Sequence, residues 1–165
     1  IWRPVFYVHV SSGMLCLLVG PLQFIPFIQK AKKAHRYLGY IYVVSVIGLA
    51  APTGLYMSFF AEGGFYASVG FLLMGFFWLL STSLAIRYAV LKDIQAHEKW
   101  IYRSYAVSLS AVTLRLLVPA LSVWTNLDVN FIIVFTAYAS WLINLGITEL
   151  LFLNFSLFTL KPITK

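Results

Sequence analysis

The chain of 165 residues is 61% hydrophobic and only 10% charged, and its mean hydropathy is +0.88. Soluble domains carry about 25% charged residues, so the composition excludes a soluble globular domain and predicts a protein of the lipid bilayer. The formal net charge of +7 does not indicate nucleic-acid binding, because the basic residues cluster in short segments between apolar runs instead of covering a polar surface.

Five apolar segments are long enough for spanning helices, each of which needs about 20 mainly apolar residues. They are placed at about 4–28, 36–60, 66–91, 99–124 and 130–157. The expected fold is therefore all-α, a single polytopic transmembrane domain over residues 1–165 that forms a bundle of five helices.

The first two predicted helices contain breaks. Gly20-Pro21 and Pro26 are expected to kink the first helix and Pro52 to bend the second, because proline has no N–H to continue the helical ladder. The basic segment Lys30–Arg36 lies between these helices, and Glu62-Gly63-Gly64 predicts a short turn into the third helix. The polar segment from Lys92 to Lys99 is expected to be a loop before the fourth helix.

Lysine and arginine are distributed unequally between the two ends of the predicted bundle. One end carries ten basic residues, which are Lys30, Lys32, Lys33, Arg36, Arg87, Lys92, Lys99, Arg103, Lys161 and Lys165. The opposite end carries only Arg3. Positively charged loops stay in the cytoplasm. We therefore expect the basic loops and the C-terminus inside and the start of the chain outside, in a bacterial inner membrane or an equivalent membrane.

Ionisable side chains within the apolar runs need a partner or a function, because each costs about 2.5–3.5 kcal/mol in a bilayer. Glu149 and Arg103 lie at similar predicted depth, so they either form an ion pair between the fourth and fifth helices or leave Glu149 as a proton acceptor in a polar cavity. Arg115 lies deeper. It either binds carbonyl groups freed near Pro119, extends outward to the membrane surface, or lines a pocket with His9 in the outer half of the bundle.

Two histidines, His35 and His97, lie at similar places beside basic segments. Two histidines from different helices can clamp a haem from both faces, so haem b is a candidate cofactor, with Arg36 and Arg103 as partners for its propionates. A non-haem metal bound by His35 and His97, completed by Asp93 or Glu98, is an alternative. Solvated interfacial histidines are the third interpretation. Cys16 is interpreted as a small buried apolar residue.

Several ordered motifs of the chain are similar to one family. They are His9-x-Ser-Ser-Gly13, Gly20-Pro-Leu-Gln-Phe24, His35-Arg-Tyr-Leu-Gly-Tyr-Ile-Tyr42, His97-Glu-Lys-Trp-Ile-Tyr-Arg-Ser-Tyr-Ala106, Thr113-Leu-Arg-Leu116 and Trp141-Leu-Ile-Asn-Leu145 followed by Glu149. Over about residues 5–152, the chain resembles the predicted membrane proteins called domain of unknown function 2306. Glu98 and Ile101-Tyr102 depart from the usual pattern of that family.

The resemblance implies an integral membrane protein of several helices and no established activity. Because members often carry a further hydrophobic segment before this region, we expect another helix to precede Ile1. The polar positions that match the motifs are His9, Gln23, His35, Arg36, His97, Arg103, Arg115, Asn144 and Glu149.

Three functions are consistent with the sequence. The first is a haem-binding or quinol-linked redox membrane protein that uses a cytoplasmic-side histidine pair. The second is a non-catalytic accessory or scaffold subunit of a larger membrane complex, and the third is a small-solute or proton transporter built on Glu149 and Arg115. The expected partners are membrane lipids, quinol or other membrane subunits, with no nucleic acid. Motifs for hydrolytic chemistry, such as a nucleophile elbow or HExxH, do not occur.

Overall fold

The computed structural model describes the backbone of residues 2–159 and the side chains of residues 2–152. Lys161 and Lys165, which contributed to the charge argument, lie outside the described residues. The described part is helical, and no strand occurs in it. Its helices are α1 Trp2–Leu22, α2 Pro26–Lys30, α3 Lys32–Val43, α4 Ala51–Ser58, α5 Gly64–Val90, α6 Ile94–Ser108, α7 Ser110–Trp124 and α8 Val129–Thr159.

Five of the helical stretches are long and apolar enough to cross a membrane, which confirms the predicted all-α transmembrane bundle. They are Trp2–Leu22, Lys32–Ser58, Gly64–Val90, Ile94–Trp124 and Val129–Phe152. Residues that face the outside of this bundle are largely apolar, as lipid contact requires. The chain is an integral membrane protein.

The first helix is shorter than the predicted 4–28. It ends at Leu22, a turn follows, and the short helix α2 begins at Pro26. The residue before a proline is disfavoured in the α conformation, and Ile25 is extended, with φ −74° and ψ 122°. Pro26 therefore ends the first helix instead of only kinking it, and in the turn the Gln23 carbonyl accepts a hydrogen bond from the Gln29 side chain at 3.2 Å.

The second span is continuous but irregular, and it starts before the predicted residue 36. Its first helix begins at Lys32, and a π-helical stretch over Val44–Ala50 joins α3 to α4. Pro52 lies in the first turn of α4, where its missing N–H is tolerated. The predicted bend at Pro52 thus takes the form of a π-helical segment immediately before it.

The fourth span begins five residues earlier than predicted, at Ile94 instead of residue 99. Lys92 ends the preceding turn with a positive φ of 60°, and the Asp93 carboxylate accepts a hydrogen bond from the Ala96 N–H at 3.0 Å. An aspartate at this position caps a helix start. His97 is consequently a residue of the first helical turns, not of a loop.

The interior of the bundle is built around α1, the second span, α5 and α6. Its buried cluster consists of Cys16, Val19, Tyr42, Val46, Ala50, Ala51, Trp78 and Val107. Cys16 is completely buried, which confirms its interpretation as a small core residue. At Gly63 and Gly64 the φ angles of 91° and 70° make the predicted turn, because glycine adopts the left-handed region at little cost.

Two ends of the bundle are distinguished by their charge. We call the end where α1 and α5 finish and α3 and α6 begin the basic end, since Lys32, Lys33 and Lys92 lie there. The far end carries the Gly63-Gly64 turn and the loop before α8.

Candidate functional site

His35 is held at the basic end by the side chain of Gln23, which is buried in the turn after α1. In the amide orientation that matches donors to acceptors, the Gln23 nitrogen donates to His35 Nδ1 at 2.9 Å and to the His35 carbonyl at 3.2 Å. The amide oxygen accepts from the Gly39 N–H at 2.9 Å. Gln23 therefore bridges one turn of α3 and fixes the ring of His35.

His97 is held by a neighbouring span. Its Nδ1–H donates to the Ala85 carbonyl of α5 at 2.8 Å. Because a carbonyl oxygen only accepts hydrogen bonds, the proton of the neutral ring lies on Nδ1, and Nε2 keeps a free lone pair. Metal-binding histidines also donate one ring N–H to a carbonyl and use the other nitrogen as the ligand. In His97 the free Nε2 can also accept a hydrogen bond.

The two rings have opposite tautomers. His35 Nδ1 accepts from Gln23, so the neutral ring carries its proton on Nε2. His97 has a bare Nε2. Both rings are half-buried at the basic end. The basic end therefore presents one N–H donor and one nitrogen acceptor, contributed by the second and fourth spans.

Aromatic packing fixes the spans around this pair. Phe24 stacks on Tyr102 with ring centroids 4.5 Å apart, and the Tyr105 hydroxyl donates to the Leu17 carbonyl at 3.4 Å. Between the first, second and fourth spans, Gln23 and Tyr105 help to line a crevice of about 10 Å³. That volume is of the order needed for one water molecule.

The donor set at this site does not fit a haem held by two histidines. Such a haem needs a free nitrogen lone pair from each ring, and His97 Nε2 supplies one. At His35, the Gln23 amide occupies Nδ1 and leaves the proton on Nε2. Haem ligation by His35 and His97 stays a prediction.

The two arginines considered for haem propionates lie in other contacts. Arg103 forms two hydrogen bonds to Glu149, with Nε to Oε1 at 2.5 Å and Nη2 to Oε2 at 3.0 Å, and its guanidinium lies over the Trp100 ring at 4.6 Å. The ion pair predicted between the fourth and fifth helices is thus present. Arg36 is directed to an exposed face of α3.

Asn144 strengthens the same junction between the fourth and fifth spans. It donates to the Ala106 carbonyl at 3.1 Å and accepts from the Thr113 hydroxyl at 3.0 Å. It therefore contacts both α6 and α7, on either side of the break at Leu109. Together with Arg103 and Glu149, this amide makes a polar clamp along α8.

His9 and Arg115 lie apart from the histidine pair. His9 Nδ1–H donates to the Ala50 carbonyl at 2.9 Å, and Gly54 leaves the space that the His9 ring occupies. Arg115 is exposed and donates to the Ala111 carbonyl at 2.9 Å. Arg115 therefore bonds to a carbonyl of its own helix one turn before it, not to one freed near Pro119, and a pocket shared by His9 and Arg115 stays a prediction.

A buried hydroxyl network was not predicted from the sequence. The Tyr42 hydroxyl lies 2.9 Å from the hydroxyls of both Ser104 and Ser108, and the Thr82 and Ser104 hydroxyls are 2.7 Å apart. These four residues join three spans in the apolar interior, where hydrogen bonds between helices replace lost contacts with water. The four-residue spacing of Ser104 and Ser108 was the available signal.

No group of three or more metal-binding side chains (His, Cys, Asp or Glu) forms among the described residues. Asp93, which was considered as a third ligand beside His35 and His97, instead caps α6 through Ala96. At the basic end, the His35 and His97 rings are available for hydrogen bonding.

Comparison with known proteins identifies a family. A family profile described as predicted membrane protein, domain of unknown function 2306 (DUF2306), matches residues 6–152. Comparisons with curated proteins and with solved structures found no match. The matched range includes the first span from Phe6 onward, the other four spans up to Phe152, and every polar residue of the sites above. The chain therefore belongs to the DUF2306 family of predicted membrane proteins.

Proposed function

We propose that this integral membrane protein is quinol-linked, and that His35 and His97 bind a quinone or quinol headgroup at its cytoplasmic side through hydrogen bonds. The observation that supports this proposal is the set of hydrogen bonds at the two rings. With the Gln23 amide donating to His35 Nδ1, His35 carries an Nε2–H, and with His97 Nδ1–H donating to the Ala85 carbonyl, His97 has a bare Nε2. A quinone carbonyl accepts hydrogen bonds and a quinol hydroxyl also donates them. The two rings match both forms.

Hydrogen bonding to the quinol form follows from the same arrangement. The bare Nε2 of His97 is suited to accept a hydrogen bond from the hydroxyl of a bound quinol. Because Nδ1 already donates to the Ala85 carbonyl, the His97 ring is held in the orientation that this contact needs. His35 donates to the ligand while Gln23 holds its other nitrogen.

The site is tested by binding of a short-chain quinone to the detergent-purified protein, followed by intrinsic tryptophan fluorescence. We expect His97→Ala and His35→Ala each to weaken binding by about tenfold, the loss of one hydrogen bond. Gln23→Leu, which removes the group that positions His35, is expected to weaken binding by a smaller factor. His9→Ala removes the third histidine, which lies in another contact, and serves as the matched control.

Equal binding by His97→Ala and His9→Ala would refute the proposal. An absorption spectrum of oxidised and dithionite-reduced protein tests the haem hypothesis in parallel. A Soret band that disappears in both His35→Ala and His97→Ala would establish a haem held by two histidines in place of the quinone site. Folding of each variant is checked by its elution volume and helical circular dichroism.

We also propose that the basic end faces the cytoplasm, because cytoplasmic loops of membrane proteins carry an excess of lysine and arginine. In a Cys16→Ala background, Lys32→Cys at the basic end should react with an impermeant thiol reagent only after cells are opened. Glu62→Cys at the far end should react in intact cells. The reverse pattern would overturn the orientation.

Two alternatives start from other contacts. A transporter built on Glu149 and Arg115 would need both groups at one pathway, but Glu149 binds Arg103 and Arg115 binds its own helix at Ala111. Proton-coupled flux in liposomes tests it. An accessory or scaffold role predicts that the protein co-purifies stably with other membrane subunits. It also predicts that His97→Ala folds and co-purifies with them as the wild type does.

A further inference from the structure

One face of α3 at the basic end carries a crevice of about 300 Å³ that is open to the outside of the bundle. We call it the α3 basic face, and it is lined by Lys32, Lys33, Arg36, Tyr37 and Tyr40. Lys32 and Arg36, Lys33 and Tyr37, and Arg36 and Tyr40 are each four residues apart, so these residues share one side of α3. None of them takes part in the histidine site.

The α3 basic face lies where the second span enters the membrane. The three cations occupy the first five residues of the span Lys32–Ser58, and the two tyrosines follow in its next turns. Helical side chains lean toward the N-terminus of their helix, so the lysine and arginine stems lean toward the headgroup region. Tyr37 and Tyr40 are 68% and 63% exposed and lie at the depth where tyrosine contacts lipid headgroups.

The charge of this face is not neutralised within the described residues. Among residues 2–152, Lys32, Lys33 and Arg36 form no ion pair, and the first turn of α3 contains no acidic side chain. The N-cap residue Ala31 offers no side-chain acceptor, so the positive end of the helix dipole adds to the same field. The face therefore favours a ligand with negative charge.

We propose that the α3 basic face binds the phosphate headgroup of an anionic phospholipid from the leaflet at the basic end. Arginine and lysine recognise phosphate oxygens by charge-assisted hydrogen bonds, and tyrosine rings can pack against the glycerol and upper acyl chains. A lipid fits better than a free phosphate, because the crevice continues from the cations onto Tyr37 and Tyr40 and opens to the surrounding bilayer.

The test compares phosphatidylglycerol with phosphatidylcholine of the same chain length, counted as bound molecules by native mass spectrometry of the detergent-purified protein. We expect the wild type to retain phosphatidylglycerol at least about tenfold more strongly than phosphatidylcholine. Lys32→Gln/Lys33→Gln/Arg36→Gln should lose this preference. The matched control Arg87→Gln/Lys92→Gln/Lys99→Gln removes the same charge at the same end and should keep it.

Three results would overturn the proposal. They are equal retention of the two lipids by the wild type, equal loss of preference in both triple variants, and displacement of the bound lipid by millimolar inorganic phosphate. The last result would assign the face to free phosphate. Tyr37→Leu/Tyr40→Leu keeps all three cations and should lower the retention of phosphatidylglycerol less than the α3 triple variant does. Retention by this double variant would show that substitutions on the α3 basic face do not by themselves unfold the protein.

Discussion

Replacing Glu149 with leucine is expected to destabilise the protein by about 1–3 kcal/mol, because Arg103 would keep its charge in the membrane without a partner. Breaking a fully buried ion pair costs about 3–5 kcal/mol. The Arg103 and Glu149 side chains are 21% and 46% exposed, so we discount that figure. The change is measured as the thermal unfolding midpoint in detergent, followed by circular dichroism.

The double variant Arg103→Leu/Glu149→Leu should recover most of this loss, since no unpaired charge remains and two apolar side chains pack in its place. The exchange Arg103→Glu/Glu149→Arg should recover part of it, because the geometry of the guanidinium is not reproduced. Glu98→Leu removes an exposed carboxylate from the same helix as Arg103 and is the control. A Glu149→Leu midpoint equal to that of Glu98→Leu would contradict the prediction.

This ion pair was one of the contacts that the sequence allowed us to predict. A rise of 1.5 Å per residue converts chain position into depth, and Arg103 and Glu149 lie at similar depth in consecutive helices. The cost of a charge in lipid then requires a partner. The five spans were predictable for a related reason, because only a long apolar helix satisfies its backbone within a bilayer.

The partners of the histidines were not predictable in the same way. Gln23 reaches His35 because Pro26 ends α1 and forms a turn there, and His97 donates to the backbone carbonyl of Ala85. Every residue has such a carbonyl, so nothing in the sequence marks the one that accepts. The depth of His35 and His97 follows from chain position, but their tautomers depend on contacts between spans.

Helix starts were misplaced where capping opposed the pattern of charges. The segment from Lys92 to Lys99 is polar and was expected to be a loop, but the Asp93 carboxylate satisfies the Ala96 N–H and starts α6 early. Lys32 and Lys33 are likewise helical. The basic residues therefore project from ordered helical faces, and this order creates the crevice on α3.

A close contact between Gly20 of the first span and Tyr105 of the fourth leads to the second prediction of a large loss of stability. At Gly20, a Cβ atom would overlap two ring carbons of Tyr105, whose hydroxyl donates to the Leu17 carbonyl. Gly20→Ala is expected to lower the free energy of unfolding by about 1–2 kcal/mol. Overpacking costs about 1–3 kcal/mol, and the higher helix propensity of alanine offsets up to about 1 kcal/mol of it.

Gly13 provides the matched control, since it lies on the same helix and a Cβ there meets nothing within 4 Å. Gly13→Ala should be neutral or stabilising by up to about 1 kcal/mol. In a Tyr105→Ala background the ring is gone, so Gly20→Ala should no longer destabilise. Equal unfolding midpoints for Gly13→Ala and Gly20→Ala would disprove the contact.

Gly20→Ala should also weaken quinone binding at His35. The Gly20 carbonyl accepts a hydrogen bond from the Gln23 N–H at 3.0 Å, so a shift at Gly20 is expected to displace Gln23. Gly13→Ala should leave quinone binding unchanged.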